Sequence, residues 1–132
     1  MNKIEKMEYD LAGQVIRLSM RVHSGLGPGF LESVYQNALA HELRRAGLAV
    51  ETEVRLKVNY DGIVVGEFEA DMVVGKTLIV ENKAVLSLAV AHEVQLVNYL
   101  AATGLDDGLL LNFGASRLEF KRKFRLYRPP SL

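Results

Sequence analysis

Ala70-Asp71-Met72-Val73-Val74-Gly75-Lys76-Thr77-Leu78-Ile79-Val80-Glu81-Asn82-Lys83 is a pair of apolar runs around one short break, with acids and a lysine set into the apolar frame. Runs of this length flanking Gly75 and Lys76 read as two strands of a hairpin. Side chains alternate across a strand, so Glu81 and Lys83 share a face. What stands opposite them depends on the turn. A three-residue loop of Gly75, Lys76 and Thr77 sets Asp71 opposite Glu81 and Glu69 opposite Lys83. A two-residue loop pairs Asp71 with Val80 and separates the carboxylates. A shared acidic site therefore requires the longer loop, a bulge or a local bend.

Upstream, residues 63–74 complete the strand that carries Asp71. Before it, Val50, Thr52, Val54, Leu56 and Val58 alternate with polar neighbours up to Asp61-Gly62, a hairpin signal. The three strands form an antiparallel meander, the third running from 78 to about 85. Two helices precede it. Leu11, Val15, Ile16, Leu18 and Val22 recur at helical spacing over residues 8–24, and a turn cluster of Gly25, Gly27, Pro28 and Gly29 ends that helix. Leu31, Val34, Tyr35, Ala38, Leu39 and Leu43 mark a second helix ending near Gly47. Downstream, Val94, Leu96, Val97, Leu100 and Ala101 predict a helix over 90–103 with Gly104 beyond its end. A buried strand over 109–113 and an edge strand over 118–126 follow. The order is ααβββαββ, an α/β fold.

The chain has 132 residues, the common size of one domain, with 49% hydrophobic and 24% charged residues, and no repeat, linker or low-complexity segment divides it; one domain over 1–132 is expected. Cysteine is absent, which excludes disulfides and thiolate metal sites. No apolar run reaches the roughly 20 residues of a membrane span, and the first residues lack the apolar stretch of a signal peptide, so a cytoplasmic protein with no membrane partner is expected. Lys plus Arg and Asp plus Glu are 16 each. Zero net charge argues against a general polyanion binder, so any contact with nucleic acid needs a local patch. Lys121, Arg122, Lys123, Arg125 and Arg128, interleaved with Phe120, Phe124 and Tyr127, are one candidate; the same alternation fits an edge strand whose charges face water.

Carboxylates of Asp71 and Glu81 brought within a few ångströms repel unless a cation lies between them. Mg²⁺ or Mn²⁺ prefers such oxygen ligands, completed by water and substrate phosphate. The ion would polarise a phosphodiester and acidify a water nucleophile, with Lys83 orienting that water or steadying the developing charge. The plainer alternative is an ion pair of Lys83 with Glu81 or Asp71 that knits the strands together. Glu32 is either a further metal ligand, direct or through water, or a first-turn acid favoured by the helix dipole. Tyr35 lies one turn on along its face. Gln95 and Tyr99 share a face of the third helix: Gln95 would hold a metal water or a phosphate, with Tyr99 beneath it, or else Gln95 is solvated and Tyr99 is core. His23 and His92 fit packing or capping roles, and His92 is also placed to contact a phosphate or support Glu32.

Together these residues resemble a known family. Gly29-Phe30-Leu31-Glu32-Ser33-Val34-Tyr35 is similar to the signature of the GxxExxY protein family, a group within the PD-(D/E)XK nuclease superfamily. Val22-His23, Gly27-Pro28-Gly29, Ala70-Asp71, residues 79–83 and residues 92–99 resemble it too, so the likeness runs from about 8 to 125. It implies a restriction-endonuclease-like core, a central mixed sheet flanked by helices. It also implies that Asp71, Glu81 and Lys83 are the catalytic set, with Glu32 as the upstream helical acid. Gln95 and Tyr99 match the glutamine-tyrosine helix of the exonuclease modules in recombination helicase-nucleases. Ala70 stands where the superfamily name has proline. The implied activity is Mg²⁺- or Mn²⁺-dependent phosphodiester hydrolysis on nucleic acid. The other reading is a non-catalytic binding or assembly module that retains the fold, for which a homodimer would present a useful surface.

Overall fold

Asp10 starts the first helix: its Oδ1 accepts the Gly13 N–H at 2.8 Å, satisfying a donor that the first turn cannot pair internally. A computed structural model of the chain describes residues 10–125. The helix, α1 (Leu11–Leu26), closes at Gly27, which takes φ 70 and donates to the His23 carbonyl at 2.8 Å. After the turn, α2 spans Glu32–Arg45. Three antiparallel strands follow, β1 (Val50–Tyr60), β2 (Ile63–Val74) and β3 (Leu78–Lys83), then α3 (Val90–Thr103), β4 (Asp107–Asn112) and β5 (Glu119–Phe124). This is the expected ααβββαββ order.

One mixed sheet has the order β1-β2-β3-β4-β5, with β3 and β4 parallel and every other pair antiparallel. The parallel pair arises because α3 carries the chain back over one face, the crossover that parallel neighbours require. α1 and α2 pack on the other face through Met72, Val74, Leu78, Val80, Leu109 and Leu111. α3 packs through Leu96 and Leu100 onto Val73, Ile79 and Leu110. β3 and β4 are thus buried on both sides, which is why Leu-Ile-Val and Leu-Leu-Leu read as unbroken apolar runs. Truncating any one of the fully buried Leu109, Leu110 or Leu111 to alanine costs about 2–5 kcal/mol. Gly108 lets α3 lie close: a Cβ there would sit 3.0 Å from Leu96 Cδ1.

Asp61 and Gly62 turn the β1–β2 hairpin with φ 51 and 75, the paired positive values of a type I′ turn. Toward that turn the hairpin outruns the core, leaving Tyr60, Ile63, Val64 and Val65 exposed. β3 ends at Lys83, short of residue 85, because Asn112 takes over there: its Oδ1 accepts the Val85 N–H and its Nδ2 donates to the Val85 carbonyl, both at 2.9 Å.

The basic stretch near residue 122 forms β5 as an edge strand, and most of its charge is used internally. Arg122 grips Asp107 at 2.8 Å and Asp10 at 2.7 Å, Lys123 pairs with Glu93 at 2.6 Å and Arg125 with Asp106 at 2.8 Å. Tyr127 and Arg128 lie outside the described residues, as do the first residues expected in α1 and the last expected in β5.

Candidate metal centre

The β2–β3 turn is the three-residue loop Gly75-Lys76-Thr77, and the ladder reads Val74 with Leu78, Val73 with Ile79 and Met72 with Val80. The next pair in that register is Asp71 with Glu81, and there the ladder stops. On the other side of β2, the β1 ladder also steps over Asp71: Thr52 pairs with Met72 and Val54 with Ala70, while the intervening Glu53 adopts φ 53. The bend shows in the packing. Met72 and Val74 face α1 and α2, whereas Phe68 and Ala70, of the same parity, face α3.

Side chains complete what the backbone leaves open. The Asp71 N–H donates to Glu81 Oε1 at 3.3 Å, and the Asn82 N–H donates to Asp71 Oδ2 at 2.7 Å. The two carboxyl groups are thereby held side by side, Glu81 only 5% exposed and Asp71 half-buried. Burial and then the neighbouring Asp71 charge push the Glu81 carboxyl up to about 8, against an ordinary 4.5, with Lys83 opposing the rise. Keeping Glu81 protonated relieves the repulsion between the two acids. Lys83 closes no ion pair among the described residues, so the strand-knitting alternative finds no contact to support it.

Glu32 is the first residue of α2. One turn on, Gln36 Oε1 accepts from Asn82 Nδ2 at 3.4 Å, which seats this end of α2 over the end of β3. Glu32 is exposed to solvent yet its carboxyl is raised, by desolvation first and then by Asp71, with Lys83 and His92 pulling the other way. Glu32 of α2 therefore feels groups from β2, β3 and α3. Among the described residues no three His, Cys, Asp or Glu side chains form a ready-made ligand cluster. Asp71 and Glu81 are a two-carboxylate core, and Glu32 stands further off.

Tyr35 is fully buried and reaches the centre only indirectly. Its hydroxyl donates to the Gly27 carbonyl at 2.5 Å and accepts the Phe30 N–H at 3.1 Å, while its ring stacks on Phe113. It latches the loop that leads into Glu32. Tyr99 stacks on Phe68 with ring centroids 3.7 Å apart, and burial followed by the charges of Glu81 and Asp71 raises its phenol. Gln95 is exposed one turn before Tyr99 on the same face. His92 Nδ1 accepts the Ala89 N–H at 3.1 Å, which caps α3. His23 Nε2 meets the Ala115 carbonyl at 2.9 Å, away from the acids.

Two asparagines carry more of the site than their sequence positions suggest. Asn82, between Glu81 and Lys83, is fully buried on the opposite face, beside Met72 Sδ at 3.3 Å, and its Oδ1 has no hydrogen-bond partner. Asn112 fixes Val85 and also donates to Glu119 at 2.8 Å. A polar residue ending or interrupting an apolar run was the available signal for both. Gly114 packs so tightly that a Cβ would lie 2.4 Å from the Val85 carbonyl oxygen.

Residues 9–123 match the sequence profile of the PD-(D/E)XK nuclease superfamily. The chain belongs to that superfamily. At that level it is nuclease-like, in a group that generally uses divalent metals and acts on nucleic acid. No curated protein matches the chain. The crystal structure of SSO0001 aligns with a TM-score of 0.59 at 21% identity, over 74% of this chain and 52% of that one. The likeness is one of fold, restriction-endonuclease-like, and this chain spans about half the length of SSO0001. Among the described residues no helix is long and apolar enough to cross a membrane.

Proposed function

We propose that this PD-(D/E)XK chain is a Mg²⁺- or Mn²⁺-dependent phosphodiester hydrolase of the GxxExxY type acting on nucleic acid, a single nuclease-like domain with Asp71 and Glu81 as metal ligands. The supporting observation is the carboxyl pair itself: two acids of one face, pressed together where both ladders break, with no cation of the described residues bonded to either. Hard oxygen donors of this kind suit Mg²⁺ and Mn²⁺, and thiolate ligands are missing. Held by Asp71 and Glu81, such an ion would supply charge neutralisation and polarisation of the phosphodiester.

The chain's own groups account for the rest. Asp71 and Glu81 must both be ionised to act as ligands, so the proton that Glu81 retains has to leave. Lys83, on the Glu81 face and without an ion pair among the described residues, supplies a fixed positive charge for the non-bridging phosphate oxygens as negative charge builds. Glu32, raised by the same acids, holds a water at the rim, and Tyr35 keeps it in place through the turn at residues 27–31. Gln95 and His92 offer polar contacts to a phosphate from α3, with Tyr99 packed beneath. Labelled single- and double-stranded DNA and RNA, incubated with Mn²⁺, test the reading: cleavage by the wild type and none by Asp71→Ala supports it, and equal cleavage by both refutes it.

The second reading, a binding or assembly module, draws on the commitment of Arg122, Lys123 and Arg125 to internal ion pairs, which leaves little of the positive charge of β5 free for a polyanion. Metal uptake without cleavage of any of those substrates would favour it.

A further inference from the structure

Ser33, Asn37, His41 and Arg45 recur at every fourth residue of α2, so they form one ridge, and all four are exposed. The ridge begins one residue after Glu32 and holds only neutral or basic groups. Toward its far end a cavity of about 480 Å³ opens between α2 and β1, lined by Asn37, Ala40, His41, Arg44, Arg45 and Thr52. Every polar side chain of that lining can donate a hydrogen bond, and none is a carboxylate.

The charge gathered there is not spent inside the fold. Arg44 Nη2 donates to the Val50 carbonyl at a long 3.4 Å. Arg45 shares Glu42 with Arg21, at 3.4 and 3.9 Å. Three arginines against one glutamate leave an excess of positive charge even with His41 neutral. The basic residues of β1 differ: Arg55 and Lys57 stand opposite Glu69 and Glu67 of β2. The helix dipole favours arginines in the last turn of α2, but it does not call for the imidazole, amide and hydroxyl that line the same cavity.

We infer that this groove seats the phosphodiester backbone of a nucleic acid, at a phosphate remote from the one held at Asp71 and Glu81. Arg44 lies about 18 Å along α2 from Glu32, at 1.5 Å per residue. No single phosphate touches both ends of the helix; at about 3.4 Å per phosphate along one duplex strand, about five phosphates span them. Guanidinium groups suit the phosphate oxygens because their N–H donors bind in pairs. Exposure selects a polymer over a small anion. A small-molecule pocket buries most of its ligand, whereas the exposed Asn37, His41, Arg44 and Arg45 hold one side and let the ligand continue past them. In a chain of zero net charge, a local excess of this kind decides where a polyanion lands. The choice of a nucleic acid as the occupant rests on the hydrolase reading above, but the groove needs no metal to bind it.

Binding without divalent metal therefore separates the two claims. Fluorescence anisotropy with labelled DNA and RNA of about 20 nucleotides, single- and double-stranded, in EDTA and across a salt series, reads the groove. Cleavage of the same probes in Mn²⁺ reads the carboxyl pair. Arg44→Gln with Arg45→Gln should weaken binding at least about tenfold at low salt. The slope of log K against log salt should fall by about 1.4 to 1.8, the value for two phosphate contacts on a single strand or a duplex. Lys121→Gln removes an exposed charge from the α3 side of the sheet, beside Leu110, and should change neither quantity. Inorganic phosphate at the same phosphate concentration should not displace the probe. Binding that depends on the two arginines in a protein that never cleaves would keep the groove and discard the hydrolase. A wild type that binds none of the probes, an unchanged slope in the double variant, an equal loss in Lys121→Gln, or displacement by inorganic phosphate would each overturn the inference.

Discussion

The Asp71 N–H donates to Glu81 Oε1 at 3.3 Å, so a backbone group that would ordinarily pair with the neighbouring strand is spent on a side chain. Strands β2 and β3 remain adjacent, but their ladder ends one pair early and an acid fills the gap on each side. The arrangement trades sheet hydrogen bonds for two carboxyl groups that cannot both ionise cheaply. Its consequences can be measured.

Glu81 sets a pH dependence of stability in the metal-free protein. Its carboxyl is raised from 4.5 to about 8 in the fold, so the native state keeps a proton that the unfolded chain has lost. The contribution is fully present below pH 4.5 and disappears as pH rises through about 8, on the order of a few kcal/mol in all. Thermal melts between those limits should fall in Tm with rising pH. Saturating Mn²⁺, which displaces the proton, should flatten the slope, and Glu81→Gln should abolish it. A Tm that climbs across this range contradicts the assignment.

Lys83→Ala separates binding from chemistry. Lys83 makes no ion pair among the described residues, so its loss should leave stability within about 1 kcal/mol and metal uptake intact. Cleavage should drop by roughly a hundredfold or more, the scale for losing one charge-stabilising group. A variant that cleaves at the wild-type rate removes Lys83 from the mechanism.

Tyr35→Phe deletes the hydroxyl that bonds Gly27 and Phe30 without disturbing the stack on Phe113. Leaving a buried carbonyl unpaired should cost about 1–3 kcal/mol in denaturant unfolding, with m unchanged. No loss of stability would mean the loop is held some other way.

How much of this was readable beforehand differs from element to element. The period of the apolar residues disclosed both layers of helices and the β1–β2 turn, because helix and strand each bury one face. The distance between Asp71 and Glu81 was legible only up to a choice of loop length, and the three-residue loop is what brings them together. The ladder break at Asp71 was not legible, since the left-handed Glu53 that accompanies it sits in an ordinary alternating strand with no glycine to mark it. The Asn112 clasp on Val85 joins residues 27 apart in sequence, so a polar residue ending an apolar run was visible but its partner was not. Tyr35 read as one turn from Glu32 on a shared face, but burial turned it inward to the glycine turn.

Gly114→Ala probes that clasp. A methyl group would have to occupy space 2.4–2.6 Å from the backbone of residues 84 and 85, so the loop after Lys83 must move. The expected loss is about 3 kcal/mol, with weaker cleavage in whatever fraction remains folded. Wild-type stability would show that the loop is free to shift.

Calorimetric titration with Mn²⁺ near pH 7 addresses the carboxyl pair most directly. Wild-type protein should take up metal with release of a proton, visible as a heat that changes with the ionisation enthalpy of the buffer. Asp71→Asn keeps an acceptor for the Asn82 N–H but removes the charge, and it should bind no metal while melting as a folded protein. Absence of binding to the wild type at millimolar Mn²⁺, or equal binding by Asp71→Asn, would show that these two acids do not hold a cation.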